Sequence, residues 1–222
     1  INYRANIWAM KSVGVTQILS VSAVGSLSKD IPPGDLAMPD QYFDFTKGKR
    51  AASFFGDGVV GHISTAKPVC PSLVKQISTV AKAQNIKMHS GNLTYACVEG
   101  PRLGTKAESF FLKNNGCQIV GMTNVPEGFL AREAQLCYAT IAVSTDFDCW
   151  LEDPNEHASL DKILALYKQT LGKVKSILGA YFAEAPRTEL PCECRKALSG
   201  AIVTEEKYMS EEKARIVAFL KH

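Results

Sequence analysis

Asp146 and Asp148 stand one residue apart just after the apolar run Ile141-Ala142-Val143, and alternate residues of an extended chain share a face. Two carboxylates so placed can share a proton: like charges raise one pKa and leave one acid able to donate near neutral pH. Such a pair suits a heterocycle presenting a lone pair beside an exocyclic amine, as adenine does at N7 and N6. Three other polar clusters have the same setting. Glu99-Gly100-Pro101-Arg102 follows an apolar stretch, Met122-Thr123-Asn124-Val125-Pro126-Glu127 follows Ile119-Val120-Gly121, and the run Gln17 to Ala23 leaves through Val24-Gly25-Ser26. Ligands of open α/β sheets sit beyond the carboxyl ends of strands, so these exits outline a common pocket. Gly25 would let the backbone approach a ligand closely.

Other motifs carry less. Gly56 to Gly61 spells GxGxxG, but a dinucleotide fingerprint needs a strand before it, a helix after it and an acidic residue about 20 positions on. Lys47-Gly48-Lys49-Arg50 precedes it and Pro68 cuts short any helix that follows. Seven cysteines in a chain of this size read as reduced thiols. Cys192-Glu193-Cys194 stands apart, because a CxC pair can close a strained redox-active bridge or hold a soft metal. No second Cys/His pair lies at zinc-finger spacing, so no metal is expected.

The elements that must position these residues follow from periodicity. The 222 residues are 46% hydrophobic and 21% charged, which fits one globular α/β domain over 1–222, with residues 183–222 as a CxC-bearing extension packed on it. Asn2 to Met10 reads as the inside of an amphipathic helix with nothing ahead of it, as in a piece of a longer sequence. Leu36 to Met38 reads as a short strand, and 46–61 as a long mobile excursion. Ser72 is the expected N-cap of a helix reaching Asn85. Lys87 to Val98 suits one or two strands, Thr105 to Asn114 a helix, Gln118 to Gly121 a buried strand, Pro126 to Leu136 a helix, and Cys137 to Thr145 another strand. Leu160, Ile163, Leu164, Tyr167, Leu171, Val174 and Leu178 mark a helix of about six turns from Ser159 to Phe182. Alternating strands and helices predict a mostly parallel or mixed sheet covered on both faces. A net charge of +3 without a basic stripe does not suggest a nucleic-acid partner. The lack of about 18 consecutive apolar residues or a leader-like start predicts no membrane span and a cytoplasmic address.

The strand-exit segments, together with Asn2-Tyr3-Arg4-Ala5-Asn6-Ile7-Trp8-Ala9 and Thr145-Asp146-Phe147-Asp148-Cys149-Trp150, resemble the 5′-methylthioadenosine phosphorylases, a branch of the purine nucleoside phosphorylase family. The resemblance covers residues 1 to about 180. It implies a mixed, partly barrel-like central sheet flanked by helices, lacking the amino-terminal part of the family fold, where the glycine-rich phosphate loop and an Arg-His pair stand. It implies phosphorolysis of 5′-methylthioadenosine to adenine and 5-methylthioribose 1-phosphate, with phosphate as co-substrate, no cofactor, and a homotrimer or homohexamer. The alternatives are a 6-oxopurine nucleoside or methylthioinosine phosphorylase, and a catalytically silent nucleoside-binding fragment.

Carried onto this sequence, the resemblance makes Asp146 the group that protonates or hydrogen-bonds N7, and Asp148 the acceptor of the 6-amino group. The oxopurine branch has Asn where Asp146 stands. Met122 would lie against the ribose, and Thr123 would bridge phosphate and sugar. Ser22 and Ala23 would hold phosphate, beside Gly25. His62 would reach a neighbouring subunit's site near the 5′ substituent. Leu103 and Gly104 replace a common Phe and Ser of the family, with Leu103 facing the substrate. Val125 and Leu130 would form part of an apolar wall for the methylthio group. The CxC resembles that of bacterial and archaeal members, whose thermophilic representatives use disulfides, and Cys70 and Cys137 sit where such relatives can form a bridge.

Overall fold

Strand β1 (Gln17–Ser26) runs parallel to β7 (Cys137–Asp146), and together they form the centre of the sheet. A computed structural model describes residues 1–151, 159–184 and 190–222; residues 185–189 of the expected extension lie outside them. All of β7 but its last residue is buried, the pattern of a strand covered on both faces. Its odd residues Cys137, Ala139, Ile141 and Val143 pack beneath α2 (Pro71–Ala83) and α5 (Leu160–Glu184). On the opposite face Tyr138 meets Tyr3 and Ile7 of α1 (Tyr3–Ser12), Leu130 and Ala134 at α4 (Asn124–Glu133), and Leu220 of α6 (Glu211–Lys221).

Strands β2 (Leu36–Met38), β3 (Gln41–Phe45), β4 (Met88–Ser90), β5 (Thr94–Val98) and β6 (Ile119–Gly121) complete a seven-stranded mixed sheet in the order β3-β5-β6-β1-β7-β2-β4. β6 pairs antiparallel with β1, and β2 antiparallel with β7; the other ladders are parallel. The α/β class and mixed sheet agree with expectation. Helix α3 (Lys106–Asn114) opens on a capping box, with Thr105 accepting from the Glu108 N–H and the Glu108 carboxylate accepting from the Thr105 N–H. This reciprocal pair fixes the helix start.

Two helix starts differ from the sequence reading. Cys70, not Ser72, is the N-cap residue of α2, and it makes no side-chain cap hydrogen bond. The Ser72 hydroxyl instead donates to the Pro191 carbonyl at 2.8 Å. Helix α4 begins two residues before Pro126 and contains the non-helical Val125, with φ −115° and ψ 128°, the extended geometry favoured before proline. Among the described residues, no helix is long and apolar enough to cross a membrane.

Candidate active site

The exits of β1, β5, β6 and β7 converge on a cavity of about 1000 Å³. Of the expected site residues, Ser22, Ala23, Gly25, Leu103, Met122, Thr123, Asp146 and Asp148 all line it. The β1–β7 register explains the convergence: Ser22 pairs with Ala142 and Ala23 with Val143, then a bulge after Val24 brings Gly25 opposite Asp146. Such a bulge re-aims side chains at a strand end. A Cβ on Gly25 would stand 3.2 Å from each of Asp146 Oδ1, Asp148 Cβ and Val120 Cγ1. The missing side chain is what lets β1 reach the acidic pair. Gly100, at φ +66°, has a similar part beside Met122, whose Sδ would lie 2.6 Å from an added Cβ.

The two aspartates are not arranged as continuous alternation predicts. β7 ends at Asp146, and Asp148 adopts φ +51° at the start of a 3-10 turn. Its backbone N–H donates to Asp146 Oδ1 at 2.8 Å, while the Thr145 hydroxyl donates to Asp146 Oδ2 at 2.8 Å. Burial pushes the Asp146 pKa up, the two hydrogen bonds oppose it, and the Asp148 charge adds a smaller upward push. Desolvation rather than the neighbouring like charge is therefore the main cause of the raised Asp146 pKa.

On the other side of the cavity, the hydroxyls of Ser22 and Thr123 lie 3.2 Å apart, and the Thr123 N–H donates to the Tyr95 hydroxyl at 3.3 Å. β1 and the β6 exit are thereby joined at the expected phosphate position. Arg102 also lines the cavity, but its guanidinium donates to both oxygens of Glu108, at 2.8 and 2.6 Å. That bidentate pairing holds the Glu108 carboxyl down at about 2.

Two parts of the expected constellation lie elsewhere. Val125 and Leu130 are core residues, 1% and 0% exposed, and do not line the cavity. Their apolar character serves packing beneath the sheet. His62 is exposed and is not among the cavity residues of its own chain; its backbone N–H donates to the Ala201 carbonyl at 2.8 Å.

Arg50 is the residue that sequence reasoning missed. It stands in the excursion 46–61, yet its side chain is only 12% exposed. Nη1 donates to the carbonyls of Met122 and Val125 at 2.7 and 2.6 Å, and Nη2 to those of Val98 and Glu99 at 3.3 and 2.9 Å. Nε donates to Glu99 Oε1 at 2.9 Å. One guanidinium thus ties the β5 exit to the β6 exit with its planar fork of donors. No periodicity marks such a residue. Lys47 and Lys49 of the same segment line the cavity, so this segment is part of the site's wall. Glu127 lies there too, its pKa raised by burial while Oε1 accepts from the Tyr138 hydroxyl at 2.7 Å.

The same architecture recurs in known proteins. A family model described as the phosphorylase superfamily matches residues 1–180. The chain belongs to that superfamily, in its methylthioadenosine phosphorylase branch. It is 45% identical over 212 residues to an S-methyl-5′-thioadenosine phosphorylase of Geobacter sulfurreducens, covering 96% of this chain and 73% of the relative. It is also 45% identical over 201 residues to a protein of that name from Nitrosopumilus maritimus, covering 90% and 74% of the respective chains. A crystal structure of a methylthioadenosine phosphorylase from an antarctic soil metagenomic library superimposes with a TM-score of 0.85 at 39% identity, covering 98% of this chain and 76% of that one. Methylthioadenosine phosphorylase from Schistosoma mansoni in complex with adenine gives a TM-score of 0.78 at 36% identity, covering 84% and 73%.

Proposed function

We propose that the chain is a pentosyltransferase of the purine nucleoside phosphorylase type, which converts 5′-methylthioadenosine and phosphate to adenine and 5-methylthioribose 1-phosphate. The reaction serves purine and methionine salvage. A phosphate oxygen forms a bond to C1′ as the C1′–N9 bond breaks, and the bonding pair passes into the purine through an oxocarbenium-like transition state. Asp146, its pKa raised by burial, protonates or hydrogen-bonds N7 and stabilises the leaving base. Asp148 accepts from the 6-amino group. Met122 packs on the ribose with Leu103 nearby, while Ser22, the Ala23 N–H and Thr123 hold phosphate and the sugar hydroxyls. Gly25 leaves room for the base beside the acids.

The observation that carries this reading is the placement of a carboxyl with a raised pKa on the same cavity as the Ser22–Thr123 hydroxyl pair. An acid and an anion-binding pair facing one space suit cleavage of a glycosidic bond by phosphate. In this scheme no cofactor takes part, and the partners are the nucleoside and phosphate. The protein works as a cytoplasmic homotrimer or homohexamer in which His62 completes a neighbour's site; light scattering on the purified protein measures the assembly.

The direct test is product analysis with methylthioadenosine in the presence and absence of phosphate. Equimolar adenine and methylthioribose 1-phosphate, formed only with phosphate, are expected. Faster turnover of inosine or methylthioinosine supports the 6-oxopurine alternative, and no turnover of any nucleoside supports a silent binding protein.

A further inference from the structure

Cys70, Cys137, Cys192 and Cys194 come together far along the chain from one another, with their four Sγ atoms all within 4.8 Å. No second Cys/His pair stands at zinc-finger spacing from the CxC in the sequence; the fold supplies one. Cys70 precedes α2, Cys137 is the first residue of β7, and Cys194 opens a 3-10 turn after α5. The Sγ atoms of Cys137 and Cys192 lie 3.4 Å apart, and all four thiols are free.

We propose that these four cysteines form a tetrathiolate site for one soft divalent cation, zinc in the natural protein. A tetrahedral ion with zinc–sulfur bonds of about 2.3 Å sets its sulfurs about 3.8 Å apart. The observed cluster needs only small shifts to reach that spacing. Thiolate ligands select zinc over the hard oxygen-seeking ions. Four protein ligands leave no open position, so the site is structural rather than catalytic.

Two features of the surroundings suit a negatively charged sulfur cluster. Arg132 Nη1 donates to Cys194 Sγ at 3.7 Å, placing a cation beside it. Cys70 occupies the N-cap of the 13-residue α2 and makes no side-chain cap hydrogen bond, which puts its sulfur at the start of the helix, where Ser or Asp would cap. The helix N-terminus adds further positive potential. Binding balances simply: four thiols release four protons to solvent as their thiolates bind one divalent ion, and the resulting net charge of −2 sits beside Arg132. The ion would fasten the carboxy-terminal segment to the start of β7 and to α2. Cys70, Cys137 and Cys194 are 1–3% exposed, within an apolar shell that includes Leu73, Tyr181 and Leu190.

Metal analysis of tag-free protein, purified without chelator, tests the proposal. One zinc per chain is expected. After reduction and chelation, the chain should take up one cobalt(II) with the intense visible bands and near-ultraviolet sulfur-to-metal absorption of a tetrathiolate. A chain that takes up no cobalt with this signature overturns the proposal, whether its intact mass is four hydrogens light, as two disulfides require, or shows free thiols. A Cys192→Ser/Cys194→Ser variant should lose the ion and melt lower while kcat stays within about twofold. If that variant does not fold, the cobalt titration of the unaltered protein decides alone.

Discussion

The two ends of β7 are built for different work. Asp146 closes the strand at an open cavity of about 1000 Å³, and Cys137 starts it inside a closed cluster of sulfurs. Nine steps of extended chain separate them by about 30 Å. At the acidic end, backbone N–H and hydroxyl donors satisfy the carboxylate but leave room beside it. At the sulfur end, ligand atoms face one another and the surrounding space is filled by Leu73, Tyr181 and Leu190. A strand end that leaves volume next to a tuned group can react; one that fills the volume can only hold. Substitutions at the first should therefore act on turnover, and at the second on stability.

The largest expected effect that separates the ends is that of Asp146→Asn. Removing a general acid should lower kcat/KM for methylthioadenosine by about 10²–10⁴-fold. The alkaline limb of the pH–rate profile, where Asp146 loses its proton, should flatten. Stability should move the other way. The Asp146 pKa is raised in the folded chain, so its contribution is fully present below the ordinary carboxylate range, where the group is protonated folded or unfolded. It is lost as pH rises through the folded pKa. The asparagine should thus melt at or above the natural protein at neutral pH, with any gain vanishing in acid. Calorimetry across pH measures this. A large loss of Tm with unchanged turnover would make the acidic end structural too and erase the contrast.

Arg50→Ala should come next, and it blurs the contrast deliberately by loosening the open end. The guanidinium contacts four backbone carbonyls, and leaving several without donors should cost about 3 kcal/mol. Chemical denaturation should show that loss together with a fall in kcat/KM as the Met122 and Glu99 exits drift. Arg50→Lys should recover only part of both, because an ammonium lacks the planar fork. Activity at the natural level in the alanine variant would show that the strand exits hold their geometry without the clamp.

Arg50 also shows where the sequence stops being legible. Asp146, Met122, Thr123 and Gly25 could be found because each sits within a few residues of an apolar run, and a strand end has a known relation to a ligand. Arg50 donates to carbonyls from 48 to 75 positions away, from a segment whose basic, glycine-rich composition signals a solvated loop. The sulfur cluster was hidden for the same reason, since only the fold brings 70 and 137 to the CxC. Val125 and Leu130 failed differently. Apolar residues beside a functional motif were assigned to substrate, whereas the extended Val125 and the helical Leu130 both turn into the core. Most strand and helix types were readable from period, but β3 and α6 were not, nor was the start of α4, because proline at 126 suggests a beginning but tolerates two residues ahead of it.

A smaller effect is expected from Asp148→Asn. Asparagine can donate to a 6-oxo group as well as accept from an amine, so the preference for methylthioadenosine over inosine or methylthioinosine should narrow by about tenfold, roughly 1.4 kcal/mol. The ratio of kcat/KM values between the substrates is the measurement. An unchanged ratio would remove Asp148 from base recognition and leave its backbone N–H to Asp146 as its contribution.

The smallest change sharpens the comparison most, because Gly25→Ala adds one methyl group at the open end and alters no charge. Gly25 has ordinary backbone dihedrals for an L-residue, so the cost lies in space alone. The new Cβ meets Asp146 Oδ1, Asp148 Cβ and Val120 Cγ1, each at 3.2 Å, so the neighbours must yield by a few tenths of an ångström. Val120 is a partly buried side chain packed against Leu27, Leu112 and Trp150, and close-packed neighbours resist displacement. Val120 also lines the cavity but is held within paired strands, whereas the acidic loop leaves the sheet after Asp146 and is the softer side. The shift should therefore fall on Asp146 and Asp148, lowering kcat by about three- to tenfold through misplacement of the acid. The melting temperature should change little, and the pH at which the alkaline limb turns should move with the altered burial of Asp146. If kcat and that pH both stay fixed while Tm falls, the strain has gone into the Val120 side, and the carboxylate end of β7 is as rigidly packed as the sulfur end.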